Sequence, residues 1–182
     1  MDIISKLVQR FSGNSEVKAW HVWQADRNHC VVGATRMLAL FLAGRNIPTE
    51  VMVKAIEAAA GDGDNIEEDG ASFAAALRAL KTLGVPFKSR YVNTDRVTYR
   101  KNHYLKKAHW FKTTKSFDRK MLFVSDETTY TEPHAVLIYV EDGVHWFYDC
   151  AKPAIAGLYV ITEEKALEFI NRSEETFVVS RR

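Results

Sequence analysis

The hydrophobic period of this chain changes at Pro86, and that change restricts the folds open to it. Upstream, apolar residues recur at helical spacing. They stand at positions 3, 4, 7, 8 and 11, and again at Cys30, Ala34, Met37, Leu38 and Phe41. Downstream, short apolar runs are bounded by turn residues: Phe87–Val92, Met121–Val124, His134–Val140, Val144–Tyr148, Leu158–Ile161 and Phe177–Val179. Helices first and antiparallel strands second describe an α+β protein.

Start and stop signals bound the helices. Ser12-Gly13-Asn14-Ser15 ends the first, and Trp20–Trp23 reads as extended. The second is expected over Val31–Ala43, with Asn28 as its cap and Gly44 as its stop. Pro48-Thr49 opens a third over Glu50–Ala60, closed by Gly61, and a fourth runs from Ser72 to Thr82 before Gly84 and Pro86. Thr162 caps a later helix through Asn171. Glu141-Asp142-Gly143 between two apolar runs marks a tight hairpin. The loop from Gly61 to Gly70 is acidic, yet Ile66 and Phe73 stand where a calcium loop needs oxygen ligands.

The 182 residues fit one domain, 1–182, with a basic, aromatic-rich insert at 88–120 between its halves. That insert holds eleven Lys and Arg against Asp95 and Asp118, a local charge of +9, whereas Glu50–Asp69 holds seven acids against Lys54. A basic face of this kind favours acidic substrates or partners. Its aromatics, Tyr99, Tyr104, Trp110, Phe111 and Phe117, suit packing under a basic skin better than base stacking. No nucleic-acid motif accompanies them, so nucleic acid is an open partner but not the favoured one. No apolar run approaches a membrane span, and Met1–Lys6 carries no secretory pattern. With two cysteines and no signal, a reduced cytoplasmic setting is expected, the host cytosol if the source is a phage or virus.

Cys30 begins an apolar helix after the polar stretch Gln24–His29. A thiol at a helix N-terminus feels unpaired N–H groups and the positive end of the dipole, both of which favour thiolate. A cysteine nucleophile also needs an imidazole, a group to orient it and donors for an oxyanion. His134 opens one hairpin strand and Asp149 follows its partner. With the turn at Asp142-Gly143, residues whose numbers add to about 284 face one another, so His134 and Asp149 share the open end. Gln24, six residues before Cys30, offers a side-chain amide beside the Cys30 N–H. Cys150 falls on the opposite side from Asp149 and reads as an inert core thiol, although a Cys30–Cys150 disulfide would silence the site. His145 reads as structural or surface. His103 and His109 have no evident partner. His29 lacks companions at metal-ligand spacing.

Gln24-Ala25-Asp26-Arg27-Asn28-His29-Cys30 with Gly33-Ala34, followed by His134-Ala135-Val136-Leu137-Ile138 and then Asp149, resembles the papain-like cysteine peptidases. Within them it looks most like the peptidase domains of peptide-exporting ABC transporters, which remove double-glycine leaders from bacteriocins. The likeness covers roughly 23–92 and 121–179 and is one of pattern. It departs at Val31, where that family carries Gly, and at Cys150, where it carries Pro. The stretch Glu132–Asp149 is also similar to the aphthovirus leader proteases, which have Asn where this chain has Ala25.

The resemblance implies a papain-like α+β fold, helical half first. It implies peptide-bond hydrolysis of a protein or peptide by Cys30, His134 and Asp149, with Gln24 in the oxyanion hole and no metal or organic cofactor. Two alternatives use the same scaffold: a deamidase, transglutaminase or ubiquitin-like-processing enzyme, and a non-catalytic peptide- or nucleic-acid-binding domain. The sequence leaves oligomeric state open.

Overall fold

The computed structural model describes residues 15–24, 29–61, 70–92, 113–126, 134–173 and 175–182. The expected helix at 3–11, the acidic loop at 62–69 and most of the basic insert, 93–112, lie outside these residues.

The helical half comprises α1 (Ser15–Ala19), α2 (Cys30–Ala43), α3 (Thr49–Ala60) and α4 (Phe73–Thr82). Central to it is α2, whose buried residues include Val31, Val32, Ala34, Met37, Leu38 and Phe41. So wide an apolar face suits a helix enclosed by α3, α4 and a sheet. The helix stops at Gly44, which adopts φ 62°; its N–H donates to the Leu40 carbonyl and the Arg45 N–H to the Ala39 carbonyl. It starts at Cys30, with His29 and not Asn28 in the cap position and no side-chain cap bond. Ser72 does cap α4, accepting from the Ala75 N–H.

The second half follows β1 (Phe87–Tyr91) with a 3-10 turn (Lys115–Phe117), β2 (Lys120–Asp126), β3 (His134–Glu141) and β4 (Val144–Tyr148). It closes with α5 (Ala154–Gly157), β5 (Leu158–Ile161), α6 (Glu163–Arg172) and β6 (Thr176–Arg181). The strands form one antiparallel sheet in the order β1-β6-β2-β3-β4-β5. Thus β2 to β5 make a meander, while the last strand enters between β1 and β2. Neither α1, the 3-10 turn nor α5 was signalled by apolar periodicity. Each is at most five residues long, too short to show a stripe.

Both faces of the sheet are covered. Met121, Phe123, Leu137, Tyr139, Trp146 and Tyr148 face α2. Their neighbours Leu122, Val124, Val136, Ile138, Val140 and Phe147 face α6 and Phe117. That is why β3 is apolar at nearly every position instead of alternating. Full burial of side chains such as Met37 and Phe41 contributes about 1.5–3 kcal/mol each. The resulting α2–β3 contact ties the start of the helix to the start of the strand. At its margin, Trp20 packs edge-on against Phe41 and Tyr139 with centroids 5.1 Å away, and Tyr148 Oη donates to the Val17 carbonyl at 3.0 Å. These contacts anchor the segment that leads from α1 to Gln24.

Candidate active site

Asp142 and Gly143 adopt φ values of 49° and 75°, so the hairpin closes through a two-residue turn flanked by the pair Glu141 and Val144. Facing residues consequently add to 285, one more than the sequence reading gave. Leu137 lies opposite Tyr148, and the strands then run on to His134 and Asp149 at the open end. There His134 Nε2 donates to Asp149 Oδ1 at 2.8 Å. His134 is only 8% exposed and Asp149 1%.

A carboxylate that deeply buried requires partners. Besides His134, the Ala151 N–H donates to Oδ1 at 2.9 Å, and Lys152 Nζ lies 3.4 Å from Oδ2. With Nε2 committed to Asp149, the other imidazole nitrogen is left for the half-buried Cys30 thiol, to which His134 is hydrogen-bonded. Burial pushes the thiol up. The His134 bond and the backbone N–H groups of Ala135 and Val31 outweigh it, and hold Cys30 below its ordinary value. Burial likewise pushes His134 down, but its bonds to Asp149 and Cys30 raise it to about 9. The two shifts agree in sense: proton on the imidazole, negative charge on the sulfur.

Gln24 joins this cluster through residue 150. Its backbone N–H donates to the Cys150 carbonyl at 2.8 Å, and its side-chain Oε1 lies 2.8 Å from Cys150 Sγ. Cys150 Sγ is also 3.3 Å from the Cys30 carbonyl oxygen. The expectation of a buried thiol holds, but Cys150 faces the start of α2 instead of turning away from it. Space for it exists because residue 33 is glycine: a Cβ there would stand 2.8 Å from Cys150 Sγ and 2.9 Å from Cys150 Cβ. Both cysteines are free thiols.

Two further residues hold the Asp149 loop, and the sequence reading passed over both. His21 Nε2 donates to the Asp149 carbonyl at 3.1 Å, tying the α1–α2 segment to the hairpin. Burial pushes this imidazole below its ordinary value, so it is a neutral donor. Gly157 accepts the Asp149 N–H at 2.7 Å. A Cβ on Gly157 would meet the Asp149 carbonyl oxygen, the Lys152 carbonyl at 2.7 Å and His21 Nε2 at 2.8 Å, so only glycine fits. The small Ala154-Ile155-Ala156-Gly157 run after Pro153 was a weak signal of such a close approach.

Val31, the departure beside the thiol, is buried in the α2 side of the core instead of lining an opening. His145 is buried elsewhere, against Thr114. His103 and His109 lie outside the described residues. Among the described residues, no three His, Cys, Asp or Glu side chains gather as metal ligands would, and no helix is long and apolar enough to cross a membrane.

No protein-family model matches the chain, and no curated protein matches it in sequence. Solved structures do. The peptidase domain of Streptococcus ComA, a bi-functional ABC transporter involved in a quorum-sensing pathway, superposes with a TM-score of 0.56 at 13% identity. The match covers 88% of this chain and 97% of that domain. The Pseudomonas avirulence protein AvrPphB gives a TM-score of 0.43 at 15% identity over 90% of this chain and 99% of its own, too loose a match to argue from. At such identity the first likeness concerns architecture alone, and the architecture, helices first and an antiparallel sheet second, is the papain-like fold.

Proposed function

We propose that this chain is a cysteine peptidase that hydrolyses peptide bonds in a protein or peptide substrate. The observation that carries the reading is the series from buried Asp149 and His134 to half-buried Cys30, with a proton held on His134 and Cys30 drawn toward thiolate. A structural thiol buried in a core has its pKa raised, as Cys150 does; Cys30 goes the other way. The similarity in fold to a domain described as a peptidase supports the same conclusion.

In this reading the Cys30 thiolate attacks the scissile carbonyl carbon and a C–S bond forms. The carbonyl electron pair moves onto oxygen, where the Cys30 backbone N–H and the Gln24 amide donate. Each donor of this kind is worth about 10²–10³ in rate. His134 then gives its proton to the leaving amine as the C–N bond breaks, leaving a thioester. Water attacks the thioester and gives its proton to the neutral His134. The thiolate departs, and the product leaves as a carboxylic acid. Asp149 keeps the imidazole oriented and stabilises its charged form. The carboxylate therefore acts through His134 throughout.

Incubating a proteome with wild type and with Cys30→Ala, and reading product masses, tests the proposal. New N-termini generated by wild type alone are expected. Replacement of a side-chain amide NH2 by OH with no cut chain would point to deamidation. The absence of any Cys30-dependent product, with binding to a protein intact in Cys30→Ala, would point to a non-catalytic binding domain. Either of these outcomes overturns the peptidase reading.

A further inference from the structure

Cys150 is a buried thiol that the chemistry above leaves unused. It is fully buried, yet it touches two elements of the site at once, the Gln24 side chain and the carbonyl of Cys30. A side-chain amide has two nearly identical arms. Only the N–H arm stabilises an oxyanion; the carbonyl arm, turned to the same place, repels it. Something must therefore select the orientation.

We infer that Cys150 is a positioning residue that clamps the Gln24 side-chain carbonyl, so that the amide nitrogen is the arm presented to the oxyanion. This inference rests on the peptidase reading. The clamp has two points: the backbone Gln24 N–H on the Cys150 carbonyl and the Cys150 thiol on Gln24 Oε1, each at 2.8 Å. Burial and the nearby Cys30 and Asp149 push the Cys150 thiol well above its ordinary value, so it keeps its proton and serves as donor. The thiol itself is seated by Gly33, since a Cβ at that position would collide with its sulfur. Residues 24 and 33 thus act as one unit with the distant residue 150.

An experiment with two electrophiles separates this role from a structural one. Iodoacetamide alkylates the Cys30 thiolate by direct displacement of iodide at its CH2 carbon, with no oxyanion, so its rate reads that thiolate. With p-nitrophenyl acetate, the Cys30 thiolate adds to the ester carbonyl and p-nitrophenolate leaves, so its rate reads the oxyanion site as well. Mass mapping assigns each adduct to Cys30. Cys150→Ala is expected to slow acylation about tenfold while leaving alkylation within about twofold. Cys150→Ser keeps a donor and is expected to recover most of the acylation rate. The pair Cys150→Ala and Gln24→Ala should be clearly non-additive.

Equal losses with both reagents in Cys150→Ala would make Cys150 a packing residue only. Unchanged acylation, or additivity with Gln24→Ala, would also overturn the inference while leaving the peptidase reading in place. Failure of the wild type to be acylated at Cys30 would overturn both.

Discussion

The two ends of the β3–β4 hairpin each bury a histidine near an acid, and the two histidines differ in charge. At the open end, His134 meets Asp149, a carboxylate 1% exposed, and is raised to about 9. At the turn end, His145 meets the buried Thr114 hydroxyl, and burial pushes it below its ordinary value despite Glu163 nearby. Glu163 is exposed and accepts the Thr114 N–H at 2.7 Å and the Thr114 hydroxyl at 2.9 Å. Because Thr114 gives its one hydroxyl proton to Glu163, it can only accept from His145, which is therefore a neutral donor. A surface hollow of about 450 Å³ opens there, lined by Thr113, Thr114, Lys115, Asp118, His145 and Glu163, but its polar groups are largely occupied by one another. His134 is raised because the buried Asp149 carboxylate and Cys30 both bond to it directly. His145 has only the Glu163 charge, reached through the Thr114 hydroxyl, and burial prevails.

The comparison can be broken most strongly by removing each acceptor. Asp149→Ala is expected to lower kcat/KM for peptide hydrolysis by about 10²–10⁴. Thr114→Val should leave it unchanged and reduce unfolding stability by about 1–2 kcal/mol, seen in denaturant melts. Comparable activity losses in both variants would mean that the two ends are coupled and not separate.

The next largest effect lies in pH. Histidine ring signals in NMR titrations are expected to show His134 changing state near 9 and His145 below 6.5, the ordinary value for both. His134 is raised, so the stability it contributes is fully present below 6.5 and is lost as pH rises through about 9. His145 is lowered, so its contribution is present above 6.5 and is lost as pH falls through its folded value. In the proposed mechanism peptide hydrolysis uses the His134 proton for the leaving amine and should decline above about pH 9, whereas iodoacetamide alkylation of Cys30 should persist. A parallel decline of both rates would contradict the charge assignment.

Smallest in expected effect on chemistry is Gly157→Ala, which sharpens what holds the open end. The new methyl meets backbone carbonyls of Asp149 and Lys152, which cannot swing aside as a flexible side chain would. A stability loss of about 1–3 kcal/mol and a shifted His134 signal are expected. An unperturbed His134 signal would show that the Asp149 loop does not depend on this close approach.

Much of this arrangement was legible because it is local. Cys30 at the start of α2 follows from polar residues running into an apolar stripe, and Gln24 lies only six positions away. His134 and Asp149 share an end because Asp142-Gly143 dictates a tight turn, and an error of one in the register leaves both at the same end. By contrast, Val31 drew attention as the departure next to the thiol, yet it faces the core. Cys150 read as an inert core thiol, and it is buried with its proton held, but its contact with Gln24 was not foreseen. The face on which each points depends on how α2 is rotated against the sheet, and the pattern of one helix does not fix that.

The sequence by itself determined the order of the longer helices and the strands, the hairpin and the identity of the residues at the helix start and strand end. Short-range backbone preferences and apolar periodicity control those features. Only the tertiary structure decided that β6 enters between β1 and β2, that His21 reaches the Asp149 carbonyl, and that Gly33 leaves room for Cys150 against Gln24. The His21 and Gly33–Cys150–Gln24 contacts join residues more than a hundred positions apart, and β6 pairs with β1 at about ninety and with β2 at about fifty-five. They form when two covered faces of one sheet are packed at once, a condition that no single segment carries.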